Sequence, residues 1–249
     1  MRTSLRPVGI IGTGSYVPPR VLTNLDLEKM VDTSDEWIRT RTGISERRIA
    51  DPQVASSDLA LLSSRAALES AGIAATSVQL VVVATVTPDM QFPCTASILQ
   101  HAVGAPGAAA FDVAVGCTGF VYALAVAGSM IATGIYDYAL VTGAETLSKI
   151  TNWQDRSTCV LFGDGAGSVI LGPVEEGRGI LSYCLGNDGE YQEFLTLPGG
   201  GSRNPATAET VQNRLHYMKM AGRETFKFAV RAMVDSSEQA VRDLSLIHI

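Results

Sequence analysis

The run Leu80-Val-Val-Val-Ala-Thr-Val-Thr87 constrains this chain more than any other segment. It is apolar and β-branched almost throughout, without the polar alternation of a strand that has one wet face. Such a strand is buried on both faces, as in a parallel sheet covered by helices on either side. The surrounding pattern agrees. Val8–Gly12, Ala108–Val115, Tyr138–Gly143 and Gly167–Leu171 read as further strands. Ser57–Ala71, capped by Ser56 or Ser57 and closed by Gly72, reads as a helix, as do Thr95–Val103 and Thr118–Ala132. Two shorter helices come earlier, Asn24–Val31 with Asn24 as its cap and Ser34–Arg41. The chain is therefore of the α/β class. After Gly172-Pro173 the pattern restarts, with a strand at Gly179–Cys184 and a long amphipathic helix at Ala221–Leu244.

Composition removes several classes. The 249 residues, 46% hydrophobic and 18% charged, suffice for one large domain or two small ones. A net charge of −6 argues against non-specific nucleic-acid binding, which needs a basic face. Cys94, Cys117, Cys159 and Cys184 form no CxxC pair and no metal-ligand spacing, so no metal is expected and a reducing cytoplasm fits. The start of the chain lacks the apolar core of a signal peptide, and no apolar stretch reaches membrane-spanning length.

The chemistry centres on Cys117, in Phe111-Asp-Val-Ala-Val-Gly-Cys-Thr-Gly-Phe120. A strand ends and a helix begins there. A thiol at a helix N-terminus meets unpaired backbone N–H groups and the positive end of the dipole, and both favour the thiolate nucleophile. Gly116 and Gly119 permit a tight turn and a close backbone approach. The competing reading is a buried structural cysteine.

Other motifs are weaker. Gly12-Thr-Gly-Ser-Tyr-Val17 begins like a dinucleotide fingerprint but lacks the third glycine and an acidic ribose partner, so a tight strand exit is expected. Phe162-Gly-Asp-Gly-Ala-Gly-Ser168 has no Gly-Lys-Ser/Thr and reads as a glycine turn feeding a hairpin. His101 and His216 are isolated and read as packing or surface residues. Trp37 and Arg41, four apart, share one helix face. Alone, that pair is either a solvated face or a platform for a base and phosphates.

Taken together, the motifs have a family context. Asp32-Thr-Ser-Asp-Glu-Trp-Ile-Arg-Thr-Arg-Thr-Gly-Ile-Ser-Glu-Arg47 resembles the N-terminal motif of the β-ketoacyl-acyl-carrier-protein synthase III family. The Cys117 segment, Phe162–Ser168 and Met220-Ala-Gly-Arg-Glu-Thr-Phe-Lys227 resemble further motifs of that family, in its order. The resemblance covers essentially residues 7–243. It implies a thiolase-like layered α/β fold of two similar halves, each with a five-stranded mixed sheet. Residues 1–173 would form the first half and 174–243 the start of an incomplete second. Cys117 would be the acylated nucleophile. Thr33, Trp37, Arg41 and Arg156 would hold the coenzyme A adenine and phosphates, and Gly222 and Phe226 would wall the pantetheine tunnel. Phe92 would enter the acyl pocket of a dimer partner. The implied reaction is decarboxylative condensation of a short acyl-CoA with malonyl-acyl-carrier protein, by a cytoplasmic homodimer. Acyl-CoA is a substrate, and no cofactor is implied.

One departure accompanies the match. The family's catalytic His and Asn lie in Pro-His-Gln-Ala-Asn and His-Gly-Asn-Thr-Ser motifs, and neither string occurs here. Leu244-Ser-Leu-Ile-His-Ile249 reads instead like a translated sequencing adapter. The expectation is a truncated chain with a non-native tail at 244–249, inactive in condensation. Two alternatives remain: another thiolase-fold enzyme that condenses acyl-CoA, and a non-catalytic binding or dimerisation module.

Overall fold

A computed structural model describes residues 5–244; the tail from 245 onward, His248 included, lies outside the described residues. In chain order the elements are β1 (Val8–Tyr16), β2 (Val21–Thr23), α1 (Asn24–Leu27), α2 (Asp35–Thr42), β3 (Glu46–Arg48), α3 (Ser56–Ala71), β4 (Leu80–Ala84), α4 (Thr95–Val103) and β5 (Ala109–Val113). There follow α5 (Gly119–Ala132), β6 (Ala139–Thr146), α6 (Arg156–Cys159), β7 (Asp164–Pro173), β8 (Leu195–Thr196), α7 (Ala208–Gln212), β9 (Lys219–Met220) and α8 (Gly222–Asp243). They group into two compact units.

Among the described residues, the first unit comprises the chain up to 19, 50–146 and 164–183. It is built on a five-stranded mixed sheet in the order β1-β7-β6-β4-β5. β4 runs parallel to both β5 and β6, while β7 is antiparallel to β6 and β1. As the apolar run requires, β4 is buried on both faces. Val81 and Val83 pack with Ala60, Ala67 and Leu68 of α3 and with Ala96 and Leu99 of α4. Leu80, Val82 and Ala84 pack with Ala123, Ala127 and Ile131 of α5. The period of two along the strand divides these side chains between the two helical layers.

Several sequence expectations are corrected. The glycines after Val8–Gly12 do not end the strand, because β1 continues through Tyr16 with an irregularity between Ile10 and Gly12. A Cβ on Gly14 would lie 2.2 Å from the Ser63 carbonyl oxygen, and one on Gly12 would lie 2.6 Å from that of Ala67. These positions are bare so that α3 can lie directly on the strand. Residues 164–168 likewise belong to β7 rather than to a hairpin turn. Gly179–Cys184 is not a strand. It is irregular chain whose Ile180 N–H donates to the Val8 carbonyl at 2.7 Å, without a ladder. The caps also differ. Thr23, in a capping box with Asp26, starts α1, and Ala55 precedes α3, where the Asp58 carboxylate accepts the Ala55 N–H. Gly72 closes α3 in the left-handed conformation, φ +67°, as the sequence indicates.

Among the described residues, the second unit comprises 20–49, 147–163 and the chain from 184 onward. Its core is a cluster of Leu27, Ile38, Cys159 and Val160, with Trp37 and Trp153 packed against it. β2 and β3 form a short antiparallel ribbon, as do β8 and β9. α8 is amphipathic, as its spacing predicts, and exposes Phe226, Met233 and Val234.

Candidate active site

In the first unit, β5 ends at Val113 and the chain turns through a single 3₁₀ turn, Gly116–Thr118, into α5. Cys117 sits in that turn and is exposed, so it is not a buried structural thiol. Gly116 has φ +58°, a left-handed conformation that a residue with a Cβ adopts only under strain. Gly119 serves differently. A Cβ there would stand 3.3 Å from the Ala84 Cβ, so its absence lets the start of α5 settle on the end of β4. The turn places Cys117 two residues before the start of α5, at the positive end of the helix dipole, where no side chain caps the helix.

Asp112, one strand residue earlier, accepts the N–H groups of Thr95 at 2.8 Å and Ala96 at 2.7 Å. It thereby caps α4, whose own N-cap, Cys94, makes no side-chain cap bond. Glu145 on β6 accepts the Val86 N–H at 2.8 Å and the Thr87 hydroxyl at 2.5 Å. Burial pushes the Glu145 carboxyl above the ordinary carboxylate range, against the pull of these hydrogen bonds. Asp112 and Glu145 thus tie down the two ends of the segment between β4 and α4. Phe92 projects from that segment and is 85% exposed.

In the second unit the Ser34 hydroxyl accepts the Trp37 N–H at 3.1 Å and starts α2. Gly43 closes that helix at φ +74°. Arg156 is the first residue of α6, after the Asp155 cap. Its guanidinium lies over the Trp37 ring and donates to the Asp32 carbonyl. The Thr33 hydroxyl oxygen, in the next residue, is buried without a hydrogen-bond partner. Arg41 is exposed on the face of α2 that Trp37 shares. The structure therefore joins Trp37 to Arg156, a pairing that no spacing in the sequence reveals. Gly222 opens α8, and Phe226, one turn on, is 70% exposed.

The remaining cysteines and histidines differ from Cys117 in setting. Cys159 is buried, and burial with Asp155 nearby holds its thiol above the ordinary range. His101 is exposed on α4, and His216 meets the Thr210 hydroxyl at 3.0 Å. Among the described residues no helix is long and apolar enough to cross a membrane.

Sequence reasoning missed Asp112 and Glu145, which fix the segment between β4 and α4. Asp112 lay within the Cys117 segment already singled out for chemistry. Glu145 acts through a contact between distant stretches of chain.

Comparison with known proteins gives consistent results. The family described as 3-oxoacyl-[acyl-carrier-protein (ACP)] synthase III matches residues 111–189. The chain is 60% identical over 225 residues to the β-ketoacyl-[acyl-carrier-protein] synthase III of Caldanaerobacter subterraneus, covering 90% of this chain and 68% of that one. It is 58% identical over 242 residues to the enzyme of the same name from Symbiobacterium thermophilum, covering 97% of this chain and 73% of that one. The crystal structure of 3-oxoacyl-[acyl-carrier-protein] synthase III from Aquifex aeolicus superposes with a TM-score of 0.84 at 43% identity, over 94% of this chain and 71% of that one.

Proposed function

This chain belongs to the β-ketoacyl-[acyl-carrier-protein] synthase III family, and from that premise we propose which of its residues perform the reaction. Its fold is the thiolase-like α/β fold. The activity of this family is that of a condensing acyltransferase that starts fatty acid synthesis, and the Pro-His-Gln-Ala-Asn and His-Gly-Asn-Thr-Ser strings of its catalytic His and Asn do not occur in this sequence. The substrates are a short acyl-CoA and malonyl-acyl-carrier protein.

Cys117 is the nucleophile. Its thiolate attacks the thioester carbonyl of acyl-CoA, the acyl carbon bonds to the Cys117 sulfur as its bond to the coenzyme A sulfur breaks, and coenzyme A leaves as a thiolate that takes a proton from water. Loss of CO₂ from malonyl-carrier protein then leaves a carbanion. That carbanion attacks the acyl-cysteine, forms the new C–C bond and returns the thiolate. The described residues account for the acyl-transfer half of this sequence. The observation that carries the assignment is the exposed thiol on a left-handed Gly116 turn ahead of the uncapped α5.

Trp37, Arg156, Arg41 and Thr33 bind the adenine and phosphates. A planar cation already stacked on an indole offers a flat face to a base and donors to phosphate. Gly222 and Phe226 wall the pantetheine, consistent with the exposed ring of Phe226. The working form is a homodimer in the cytoplasm, and Phe92 reaches the partner's acyl pocket. Two features support the dimer: the exposed Phe92 ring, and β5, an edge strand whose Ala-Ala-Phe-Asp-Val composition leaves it in need of a neighbour. The boundary between the two thiolase-like halves falls near Pro173.

Alkylation tests the nucleophile. Limiting iodoacetamide should label Cys117 ahead of Cys94, Cys159 and Cys184, and acetyl-CoA should protect it. Labelling that spares Cys117, or that acetyl-CoA leaves unchanged, contradicts the assignment.

A further inference from the structure

Arg47, on β3, is only 5% exposed, yet among the described residues no carboxylate pairs with it. Burying an unpaired cation is costly, and Arg47 also leaves its Nε without a partner. Its position is therefore not explained by ion pairing. Its remaining donors go to two separate stretches of chain, around Val160 and at Leu22–Asn24. Nη2 donates to the Val160 carbonyl at 2.8 Å, at the C-cap of α6. Nη1 donates to Asn24 Oδ1 at 2.8 Å, and at 3.4 Å to the Leu22 carbonyl on β2.

The Asn24 contact extends further. With its oxygen taken by Arg47, the amide must present its nitrogen elsewhere. Nδ2 donates to the Asp35 carboxylate, at the first residue of α2, and to the Ile44 carbonyl just beyond its end, both at 2.8 Å. One guanidinium thus fixes both supports of the stacked pair. Through Asn24 it brackets α2, which carries Trp37. Through Val160 it anchors α6, one turn from Arg156.

We propose that Arg47 is a positioning residue for acyl-CoA: it holds α2 and α6 in the register that stacks Arg156 on Trp37, and so governs recognition of the nucleotide end of the substrate. The proposal rests on the reading that Trp37 and Arg156 bind that nucleotide. Arg47 itself touches no substrate. Its loss weakens binding of the nucleotide and leaves the chemistry at Cys117 alone.

The test compares two acyl donors in the full chain, acetyl-CoA and acetyl-pantetheine, which lacks the nucleotide. The readout is the second-order rate constant for acetylation of Cys117. Arg47→Gln should lower it about tenfold or more with acetyl-CoA and less than about twofold with acetyl-pantetheine. Asp35→Ala, which removes the last link of the Asn24 relay from a partly exposed site, should show the same selectivity at smaller size. It decides the matter if Arg47→Gln does not fold. Equal losses with both donors, or no loss, overturn the proposal. Trp37→Ala separates the two levels. If it shows the selective loss and the Arg47 and Asp35 variants do not, the relay fails alone. If it shows none, the nucleotide assignment fails and takes the relay with it.

Discussion

The Arg156 guanidinium carbon lies 4.5 Å from the centre of the Trp37 ring, and Arg156 Nη1 donates to the Asp32 carbonyl at 2.8 Å. The planar cation is thereby held over the indole, so under the proposed role little ordering cost would remain for binding. A stacked cation of this kind contributes about 0.5–2 kcal/mol, or roughly a two- to thirtyfold change in affinity. Arg156→Lys keeps the charge but loses the plane. It should raise the acetyl-CoA concentration that half-saturates acetylation of Cys117 within that range and leave the limiting rate nearly unchanged, because the nucleotide is remote from the reacting carbon. Trp37→Ala and Arg41→Ala should behave likewise. The concentration dependence of the Cys117 acetylation rate provides the check, and a lower limiting rate at an unchanged half-saturating concentration would assign these residues to folding instead.

Glu145 makes stability depend on pH. Burial raises its folded pKa above the ordinary value of 4.5. Between 4.5 and that higher value the folded chain holds a proton that the unfolded chain has released, so stability falls as pH rises through the window. Glu145→Gln should abolish that slope. It should also cost about 1–3 kcal/mol at the acid end of the window, shrinking as pH rises, since an amide accepts through one oxygen only. Urea midpoints collected upward from pH 4.5 measure both effects, and an unchanged slope in the glutamine variant refutes the assignment.

Gly14→Ala should destabilise the first unit by about 1–3 kcal/mol or more, because the new methyl would meet helix backbone that cannot rotate away. Its Cβ would lie 2.2 Å from the Ser63 oxygen and 2.4 Å from the Ala67 nitrogen. Gly167→Ala provides the contrast, since nothing lies within 4 Å of a Cβ there. Its cost should be small. Equal thermal midpoints for the two variants would show that α3 does not press on β1 as described.

Legibility in the sequence followed the range of the signal. β4 was readable because its burial on both faces is written into consecutive residues, and α4 because nine residues of helical pattern end at Gly104. Cys117 was readable because strand, glycine turn and helix are adjacent in the chain. The glycines of β1 were misread, because the reason for them is α3, some fifty residues later. The Gly179–Cys184 segment has a strand's composition but lacks a partner ladder, which composition does not encode. Trp37 and Arg156 were each named from family resemblance, but their stacking joins residues more than a hundred apart. Arg47 closed the Asp32–Arg47 motif but gave no sign of its role, since a charged residue in a short ribbon reads as solvated until its burial is known.

The central claim is that Cys117 is the atom acylated by acyl-CoA. Intact-protein mass spectrometry after incubation with acetyl-CoA tests it directly, with peptide mapping to place the adduct. The account predicts a single acetyl group on the unaltered chain, located at Cys117, and none on Cys117→Ala, whose neighbouring Thr118 hydroxyl is a far weaker nucleophile than a thiolate. Acetylation that persists in Cys117→Ala, or that maps in the unaltered chain to another residue, would contradict it.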